Sequence, residues 1–579
     1  MYLVKLSANN KSFHEVEFRN QSGINIVLAT QKNPDSFDKS KTFNGVGKSL
    51  LISIIDFCLG SNGKKGLQNH LKGWVFDLEF VINKTHYKVS RSTVPNSNVF
   101  LNSQEMSVKQ YRSFLAQHTL NIPEQLSFLT FRSQIPFFLR PTKSSYMSFM
   151  DPKPVNKDYQ ILISNAFFLG LDLQLIKSKF ELKTEKNRVN KLLKDLKNDP
   201  VMLEFFNKTR DIKLALNDLD DQINKIERDL QSFEIAEDFY DIKKEADKIS
   251  THIHNTTNEL FILQSSLDNI NRSLKISPDL TTSQIKQTYA QAENIFKQES
   301  LKTLDDLQAF YTHISSSRRK RLNEQRNTVS FNLEAKRQEL ESLNSFLNDK
   351  LKYLNSHQAL DVFINLSSKL GDLKIKKENI EKYDKLIQKY TDIEIGIKSK
   401  LLKLIQTAKE SLDESQSNID ELSSFFKKLA SRLYSSAPAG ISVYVNTKDN
   451  NTIAFDIDAK IEADSSDGIN NAKIFCYDLS LLLKGYNHGI DFLFHDSRLL
   501  DGIDPRQSSE MLKIANEYFQ GNHKQYIISL NQNQISDIKQ YLTDEEYNNI
   551  IEKNIMLLLT DSSPEEKLLG INIDFNHEK

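Results

Sequence analysis

Glycine and proline are scarce in this chain. Its 579 residues hold 17 glycines and 12 prolines, less than half the usual share of about 12%. That excludes a chain made mainly of small β domains, which need turn residues at short intervals. Cysteine is scarcer still: Cys58 and Cys476 are the only two. A pair of cysteines excludes a disulfide scaffold and a multi-cysteine zinc or iron–sulfur site. Both lie in apolar stretches and are expected in the core. No run of roughly 18 apolar residues occurs, so no transmembrane helix is expected. The start, MYLVKLSANNKSF, lacks the basic-then-apolar pattern of a secretory signal. The expectation is a cytoplasmic protein without a membrane partner. Nor does one sign of charge dominate, since 76 Lys and Arg balance 76 Asp and Glu. Any nucleic-acid surface must then be a local patch.

The scarce turn residues are unevenly placed. Between Asp172 and Ser435 stand only Pro200, Pro278, Gly371 and Gly396. The middle therefore reads as long helices and the ends as globular. Ile212, Leu216, Leu219, Ile223, Ile226, Leu230 and Phe233 recur at alternating intervals of four and three. After a phase slip the pattern resumes from Ile242 through Ile249, Ile253, Leu260, Leu267 and Leu274. Leu340, Leu343, Leu347 and Leu354 continue it, as do Tyr383, Leu386, Tyr390, Ile393, Ile397 and Leu404. Such spacing is that of a coiled-coil seam, and a slip alters the supercoil locally. Near Ser277 the stretch SPDLTT breaks the helix, with Ser277 as cap and Pro278 near a start position. The reading is an ascending arm over 172–276, a helical turn-around over 277–302 and a descending arm over 303–435. Pro200 argues for a bend in the first arm. A compact bundle folding back several times is the alternative.

The ends read as α/β structure. Ile24–Thr30, Tyr87–Val89, Ile441–Val445, Ile453–Ile457, Phe492–Phe494 and Tyr526–Ser529 are strand candidates. Apolar helices are expected at Leu50–Leu59 and Ala472–Leu483. Residues 1–171 hold a phosphate loop but no acidic strand end, and residues 436–579 hold the reverse. The two ends are therefore expected to fold together as one α/β head into which the antiparallel coiled coil is inserted.

The phosphate loop is Thr42-Phe43-Asn44-Gly45-Val46-Gly47-Lys48-Ser49. Peptide N–H groups of Asn44, Gly45, Val46 and Gly47 would curl around phosphates. Lys48 would reach the β- and γ-phosphates of ATP, and Ser49 would ligate Mg²⁺. The apolar helix that follows points its positive end at the anion. A chance Gly-Lys-Ser at a helix start is the bland alternative. Downstream, Asp491-Phe492-Leu493-Phe494-His495-Asp496 is an apolar strand ending in a carboxylate, the pattern of a Walker B strand, where Asp496 would hold Mg²⁺. Alone it is weak, because any strand can end in Asp. Before it, Ser465-Ser466-Asp467-Gly468 opens a helix. There Ser466 and Gly468 would meet a γ-phosphate or merely cap the helix.

The order of phosphate loop, long coiled coil, signature loop and Walker B strand resembles the SMC/RecF/RecN branch of ABC ATPases. The N-G-V-G-K-S loop and the HDSRLLDGIDPRQ segment most resemble a prokaryotic SMC-like family of uncharacterised-domain proteins. That family includes ATPase components of multi-gene phage-defence systems of the ABC three-component type and, more distantly, Lamassu. The resemblance implies a homodimer whose two heads sandwich two ATP molecules, with Ser466 and Gly468 of one head facing Lys48 and Ser49 of the other. It implies that Gln134 is the Q-loop glutamine beside the metal, that Asp504 is the D-loop aspartate, and that Asn531 stands where a switch histidine is expected.

Three departures follow from the same comparison. Ser497 replaces the glutamate that activates water, Asn531 replaces the histidine, and the signature reads Ser-Asp-Gly. General-base assistance is typically worth 10²–10⁴-fold, so a slow ATPase, or ATP acting as a clamp, is expected. His495 and Asp501 are the candidate substitute bases.

The first arm begins basic. Lys177, Lys179, Lys183, Lys186, Arg188, Lys191 and Lys194 outnumber Glu181, Glu185 and Asp195, which would suit the backbone of double-stranded DNA. Arg318-Arg319-Lys320-Arg321 is a second cluster. A solvated helix face is the alternative for both. The turn-around leaves no room for a hinge domain and has no C-x-x-C hook. The leading expectation is an SMC-like DNA-binding clamp or sensor in a bacterial anti-phage or anti-plasmid complex, with separate effector and accessory subunits. A chromosome-maintenance or repair ATPase and a nucleotide-holding scaffold are the alternatives.

Overall fold

The computed structural model describes residues 1–20, 23–31, 45–62, 65–123, 126, 128–154, 157–198, 211–231, 239–275, 298–353, 359–435, 437–448, 451–462 and 467–573. The chain divides into two compact units, Met1–Arg188 with Glu394–Lys579, and Val189–Ile393.

The first unit is built from both ends of the chain. Its centre is a parallel sheet in which β3 (Ile24–Thr30) lies between β11 (Gln525–Asn531) and β12 (Ile555–Thr560), with β10 (Phe492–His495) beside β11. The first six residues of β3, INIVLA, are buried. A continuous buried run is what a strand covered on both faces requires. Its one polar interruption, Asn25, is satisfied locally: Arg19 N donates to its Oδ1 at 2.7 Å and its Nδ2 donates to Arg19 O at 3.1 Å. Parallel pairing brings the C-terminal ends of β3 and β10 to one edge of the sheet, where open α/β sheets bind ligands.

An antiparallel sheet of order β2-β1-β4-β5-β6-β7 accompanies it, comprising β1 (Tyr2–Ala8), β2 (Val16–Glu17), β4 (Val75–Ile82), β5 (Thr85–Ser92), β6 (Asn98–Leu101) and β7 (Gln104–Ser107). Two of its hairpins turn through two residues at positive φ, Asn83-Lys84 and Asn102-Ser103, the tight form whose twist matches the strands. A third hairpin pairs β8 (Ala439–Val445) with β9 (Phe455–Ile461).

Behind β10 lies a fully enclosed polar network. Arg140 spends all five of its N–H donors there. Nε and Nη2 donate to the two carboxylate oxygens of Asp478, Nη1 donates to the carbonyls of Ser145 and Ser148, and Nη2 also donates to that of Phe149. Arg140, Asp478 and His495 are each 0% exposed. Asp478 belongs to the helix Asp467–Lys484, so the network ties that helix to β10 and to the 145–149 segment.

In the second unit the helices pair antiparallel. Lys374 meets Glu227 and Lys377 meets Asp220, at 2.7 and 2.6 Å. Lys336 likewise meets Glu259 at 2.8 Å, and His252 meets Glu339 at 3.1 Å. One partner number rises as the other falls in both sets. Leu219, Ile380 and Tyr383 form the buried seam of the first pair. Leu219, Ile223 and Ile226 are buried as their spacing requires. Farther along the chain the expected phase needs correcting, because Leu386 and Ile393 are exposed. Ile380, Tyr383, Ile387, Tyr390, Ile397, Leu401 and Leu404 carry the less exposed stripe instead. The phase slip near Phe233, the helix break at SPDLTT and Pro200 fall outside the described residues.

Removing one partner of a buried ion pair strands the other charge. Arg140→Leu should therefore destabilise the chain by about 3–5 kcal/mol, and adding Asp478→Leu should recover much of the loss. Urea unfolding of the full chain measures both. A loss below about 1 kcal/mol, the range of an exposed pair, would show that the network does not hold this region together.

Candidate nucleotide site

β3 leads to Gly45, Val46 and Gly47, and the helix Lys48–Cys58 starts directly after them. Gly47 caps this helix at φ +117°, a left-handed conformation suited to glycine. The free N–H groups of a helix start give a partial positive charge to this end. Lys48 is buried, and burial pulls its ammonium down to about 8, with Asp496 pushing up and Arg498 pushing down. Asn44 lies outside the described residues.

The second half of the site arrives on β10. Ser49 Oγ donates to Asp496 Oδ2 at 2.8 Å, joining positions 447 residues apart. Arg498 Nη1 pairs with the same oxygen at 3.0 Å. The other oxygen, Oδ1, accepts from Ser497 N and from Ser529 Oγ, both at 2.8 Å. The Asp496 peptide N donates to Tyr146 Oη at 2.7 Å. The carboxylate is thus fixed from four directions before any ligand is considered.

His495 faces the opposite way, as side chains alternate along a strand. Its Nε2 contacts Asp478 Oδ2 at 2.9 Å and its Nδ1 contacts Tyr526 Oη at 3.1 Å. Burial holds its pKa below the usual imidazole value. The expectation that His495 could activate water is therefore corrected: it is sealed into the network behind the strand. Asp501 is exposed and follows the 3-10 turn Ser497–Leu500. Partial burial of its carboxyl, reinforced by the Asp496 charge and opposed by Arg498 and Lys143, raises its pKa.

Ser497 is also committed. Its Oγ lies 3.2 Å from Asp496 Oδ1, and its carbonyl accepts Gln534 Nε2 at 3.1 Å. Gln534 Oε1 in turn accepts Asn531 N at 3.0 Å. Asn531 Oδ1 is buried without a partner among the described residues. Gln134 is 0% exposed. Its Nε2 donates to Ser133 and Ser164 hydroxyls at 3.0 and 3.1 Å, and its Oε1 has no partner among the described residues. None of these hydrogen bonds brings it to Ser49 or Asp496. Asp504 caps the helix Pro505–Phe519, accepting from Arg506 N at 2.9 Å.

Ser466 lies outside the described residues. Gly468 sits in the first turn of the helix Asp467–Lys484, where a Cβ would come 2.4 Å from Gly502 O. The same helix sends Asn471 Nδ2 to Asp501 O at 2.8 Å and Asn470 Nδ2 to Tyr146 O at 3.0 Å. Arg498, Tyr146, Ser529 and Asn471 escaped the sequence reading. Arg498 stands two residues past Asp496 and was open to notice; Tyr146 gave no local signal.

The donors present fit Mg²⁺. Ser49 Oγ and Asp496 Oδ2 are hard oxygens in one spot, and this ion commonly takes one or two carboxylates plus phosphates. Among the described residues no group of three or more His, Cys, Asp or Glu could hold a metal, so a metal cage made by the protein alone is not what this site resembles.

The basic helix Leu173–Lys197 requires a correction. Its buried positions include Leu173, Ile176, Lys179, Lys183 and Lys186. The three lysines are 3%, 7% and 5% exposed, and Lys179 Nζ donates to Asn446 O at 2.6 Å. They occupy the inner stripe of the helix and cannot present their charge to a phosphate backbone. Arg188, Lys191 and Lys194 are exposed, and Lys177 is half-buried. Arg318, Arg319, Lys320 and Arg321 are exposed as well.

The profile of the family described as "Uncharacterised protein conserved in bacteria (DUF2326)" matches residues 429–573, which includes Gly468, Asp496 and Asn531. The sequence matches no curated protein. Among solved structures, the Smc head domain with a coiled coil and joint from Pyrococcus yayanosii is 16% identical, with a TM-score of 0.35 and coverage of 95% of this chain and 99% of that one. The Smc head domain with an extended coiled coil from Pyrococcus furiosus, bound to the C-terminal domain of ScpA, is 12% identical with a TM-score of 0.32, covering 93% and 91%. Likeness at these scores carries no weight; the site stands on its own geometry. No helix among the described residues is long and apolar enough to cross a membrane.

Arg498 competes with any cation for Asp496 Oδ2. Arg498→Ala should lower the Mg²⁺ concentration for half-maximal nucleotide binding by up to about fivefold, since a partly exposed pair contributes about 1 kcal/mol or less. Titration of Mg²⁺ with a fluorescent ATP analogue reads this. A higher Mg²⁺ requirement would show that Arg498 assists the site.

Proposed function

We propose that residues 1–171 and 436–579 are the two halves of an ABC-type P-loop ATPase head, carried on coiled-coil arms over 172–276 and 303–435. The observation behind this reading is the 2.8 Å contact between Ser49 and Asp496, with Lys48 beside it. A hydroxyl, a carboxylate and an ammonium at a helix start form the minimal set for a nucleoside triphosphate with its metal. Lys48 neutralises the β- and γ-phosphates. Ser49 and Asp496 would hold Mg²⁺, which would supply charge neutralisation on the phosphoryl group. Arg498, which holds Asp496 Oδ2, would have to yield that oxygen to the metal.

Proton removal from water is the weak step. Ser497 is too weakly basic and its hydroxyl lies against Asp496. His495 is enclosed. Asp501, exposed on the turn after Ser497–Leu500, is the remaining candidate base, and a base that is not fixed beside the metal position favours slow turnover. The protein is then a slow ATPase that spends most of its cycle with ATP bound. Gly468 and Asp504, both near the Asp501–Gly502 turn, are assigned to the face that a second copy covers, giving a homodimer through ATP-bound heads.

Arg188, Lys191 and Lys194 are assigned to contacts with double-stranded DNA, without sequence readout. The resemblance to defence ATPases supports a cytoplasmic role as a clamp or sensor with separate effector and accessory subunits. A nucleotide-holding scaffold without productive hydrolysis is the second reading, favoured by the engagement of Ser497 with Asp496.

Lys48→Ala should abolish ATP binding, measured by calorimetry; retained affinity removes the phosphate-loop assignment. Single-turnover hydrolysis separates the two readings. Wild type should turn over slowly, Asp501→Asn should lose about 10²-fold or more if Asp501 is the base, and Asp496→Ala should lose all activity. No hydrolysis in wild type at saturating Mg·ATP selects the scaffold.

For DNA, Lys191→Glu with Lys194→Glu should flatten the dependence of log affinity on log salt by roughly two units, about 0.9 for each lost phosphate contact. An unchanged slope returns this helix to a solvated face. Lys183→Glu should instead lower the unfolding midpoint, because its position is buried.

A further inference from the structure

The phosphate loop is braced by a segment far away in sequence. At Gly47 a Cβ would stand 2.4 Å from Leu568 Cβ, 3.3 Å from its Cδ2 and 3.5 Å from its Cα. Leu568 N donates to Val46 O at 3.0 Å, and Leu568 O accepts His14 N at 2.9 Å. Leu568 is fully buried. The residues around it are fastened to the same N-terminal turn. Ser12 Oγ donates to Leu569 O at 2.7 Å, His14 Nε2 contacts Glu565 O at 2.5 Å, and Gly570 packs on Ser12 O. Residues 565–570 therefore form a strap between the Ser12–His14 turn and the phosphate loop.

The hydrogen bond to Val46 O has a geometric consequence. A trans peptide is planar, and its C=O and N–H point in opposite directions. With the Val46 carbonyl held by the strap, the Gly47 N–H of the same peptide points away from it. That N–H is one of the donors assigned above to phosphate. If the peptide turned over, a carbonyl oxygen would face the anion instead. Glycine at positive φ has low barriers to such rotation, because no side chain restrains it. Packing against Leu568 supplies the missing restraint from outside.

We infer that Leu568 is a positioning residue for nucleotide binding: through Val46 O and the bare face of Gly47 it holds the loop in its phosphate-binding form. This inference rests on the nucleotide reading of the loop. It predicts that the strap affects the phosphate cradle, so ATP and inorganic triphosphate should respond alike.

The test compares wild type, Leu568→Gly, Leu568→Ala and Leu569→Gly. Leu568→Gly removes the Cβ that lies against Gly47, and Leu568→Ala keeps it together with the N–H. Leu569 is a buried neighbour in the same strap, and it is not among the atoms nearest Gly47. Affinities for ATP and for inorganic triphosphate are measured by calorimetry on the full chain, with thermal midpoints taken without ligand. Leu568→Gly is expected to weaken both ligands by about tenfold, the scale of one hydrogen bond to a charged group. Leu568→Ala should restore most of the affinity. Leu569→Gly should lower the midpoint while keeping wild-type affinity. Wild-type affinity in Leu568→Gly overturns the inference, and so does an equal loss in Leu569→Gly. Absence of ATP binding in wild type overturns the nucleotide reading itself, which is a separate outcome.

Discussion

β3 sits between two strands that the chain reaches only some five hundred residues later. The rest of the first unit depends on that insertion. Without β11 and β12, β3 would expose two unpaired edges and an almost wholly apolar surface. Without β3, the two later strands would not adjoin. Closing so long a loop costs less than its length suggests, because the entropic cost grows only with the logarithm of length. The antiparallel helix pairs of the second unit reduce it further, since each pair returns the chain along its own path. The parallel pairing then decides where chemistry is possible. Ala29 pairs with Asn531, and Thr30 pairs with Thr560, so β3, β11 and β12 end level with one another. Lys48, Asp496 and Asn531 follow at that edge because their strands stop there.

Polar groups in and behind the sheet serve geometry before they serve chemistry. Arg140, Asp478 and His495 are fully enclosed, and a buried pair of this kind is weak evidence for net stability. Its structural effect is clearer. The guanidinium gathers the carbonyls of residues 145, 148 and 149, and Tyr146 within that stretch accepts from the Asp496 peptide. The orientation of the Asp496 backbone thus depends on an arginine that never approaches the site. Asn470 ties the helix Asp467–Lys484 to the Tyr146 carbonyl, and Asn471 ties it to the Asp501 carbonyl.

Much of this was legible in the sequence, and the failures have physical causes. The buried strands Ile24–Thr30, Phe492–Phe494 and Tyr526–Ser529 read correctly because both faces are covered and nearly every position is apolar. β4 was missed because it alternates: VFDLEFVI places Asp77 and Glu79 on its outward face, and the charges hide a period of two. β1 was missed because it buries only Leu3 and Leu6, across a register shift. The inner lysines were legible and were misread. Ile176 and Val189 can share a helix face only with positions near 179, 183 and 186, so helical phase already placed those lysines inward. Composition put them on a DNA face, and geometry removes these three from it. His495 is the same case in a strand, since the neighbour of an Asp496 that faces Ser49 must face the other way, into the core. Leu568, Tyr146 and Arg140 gave no comparable signal. Their roles depend on contacts spanning hundreds of residues, which periodicity does not encode.

Positions 497 and 531 are joined through one side chain, that of Gln534, which meets main-chain atoms at both ends. The Ser497 hydroxyl rests on Asp496 Oδ1, and the Ser497 carbonyl accepts the Gln534 amide. Gln534 then accepts the Asn531 peptide N–H. This chain of bonds links the end of β10 to the start of the helix Gln532–Lys539 through small neutral groups. A glutamate at 497 would add a second negative charge beside Asp496 and would need a cation or proton to be tolerated at such short range. With serine and asparagine, the edge is closed by neutral hydrogen bonds, and Arg498 supplies the cation that Asp496 still requires. Under the proposed reading, this part of the site is organised to hold a charged ligand and is poorly equipped to move a proton.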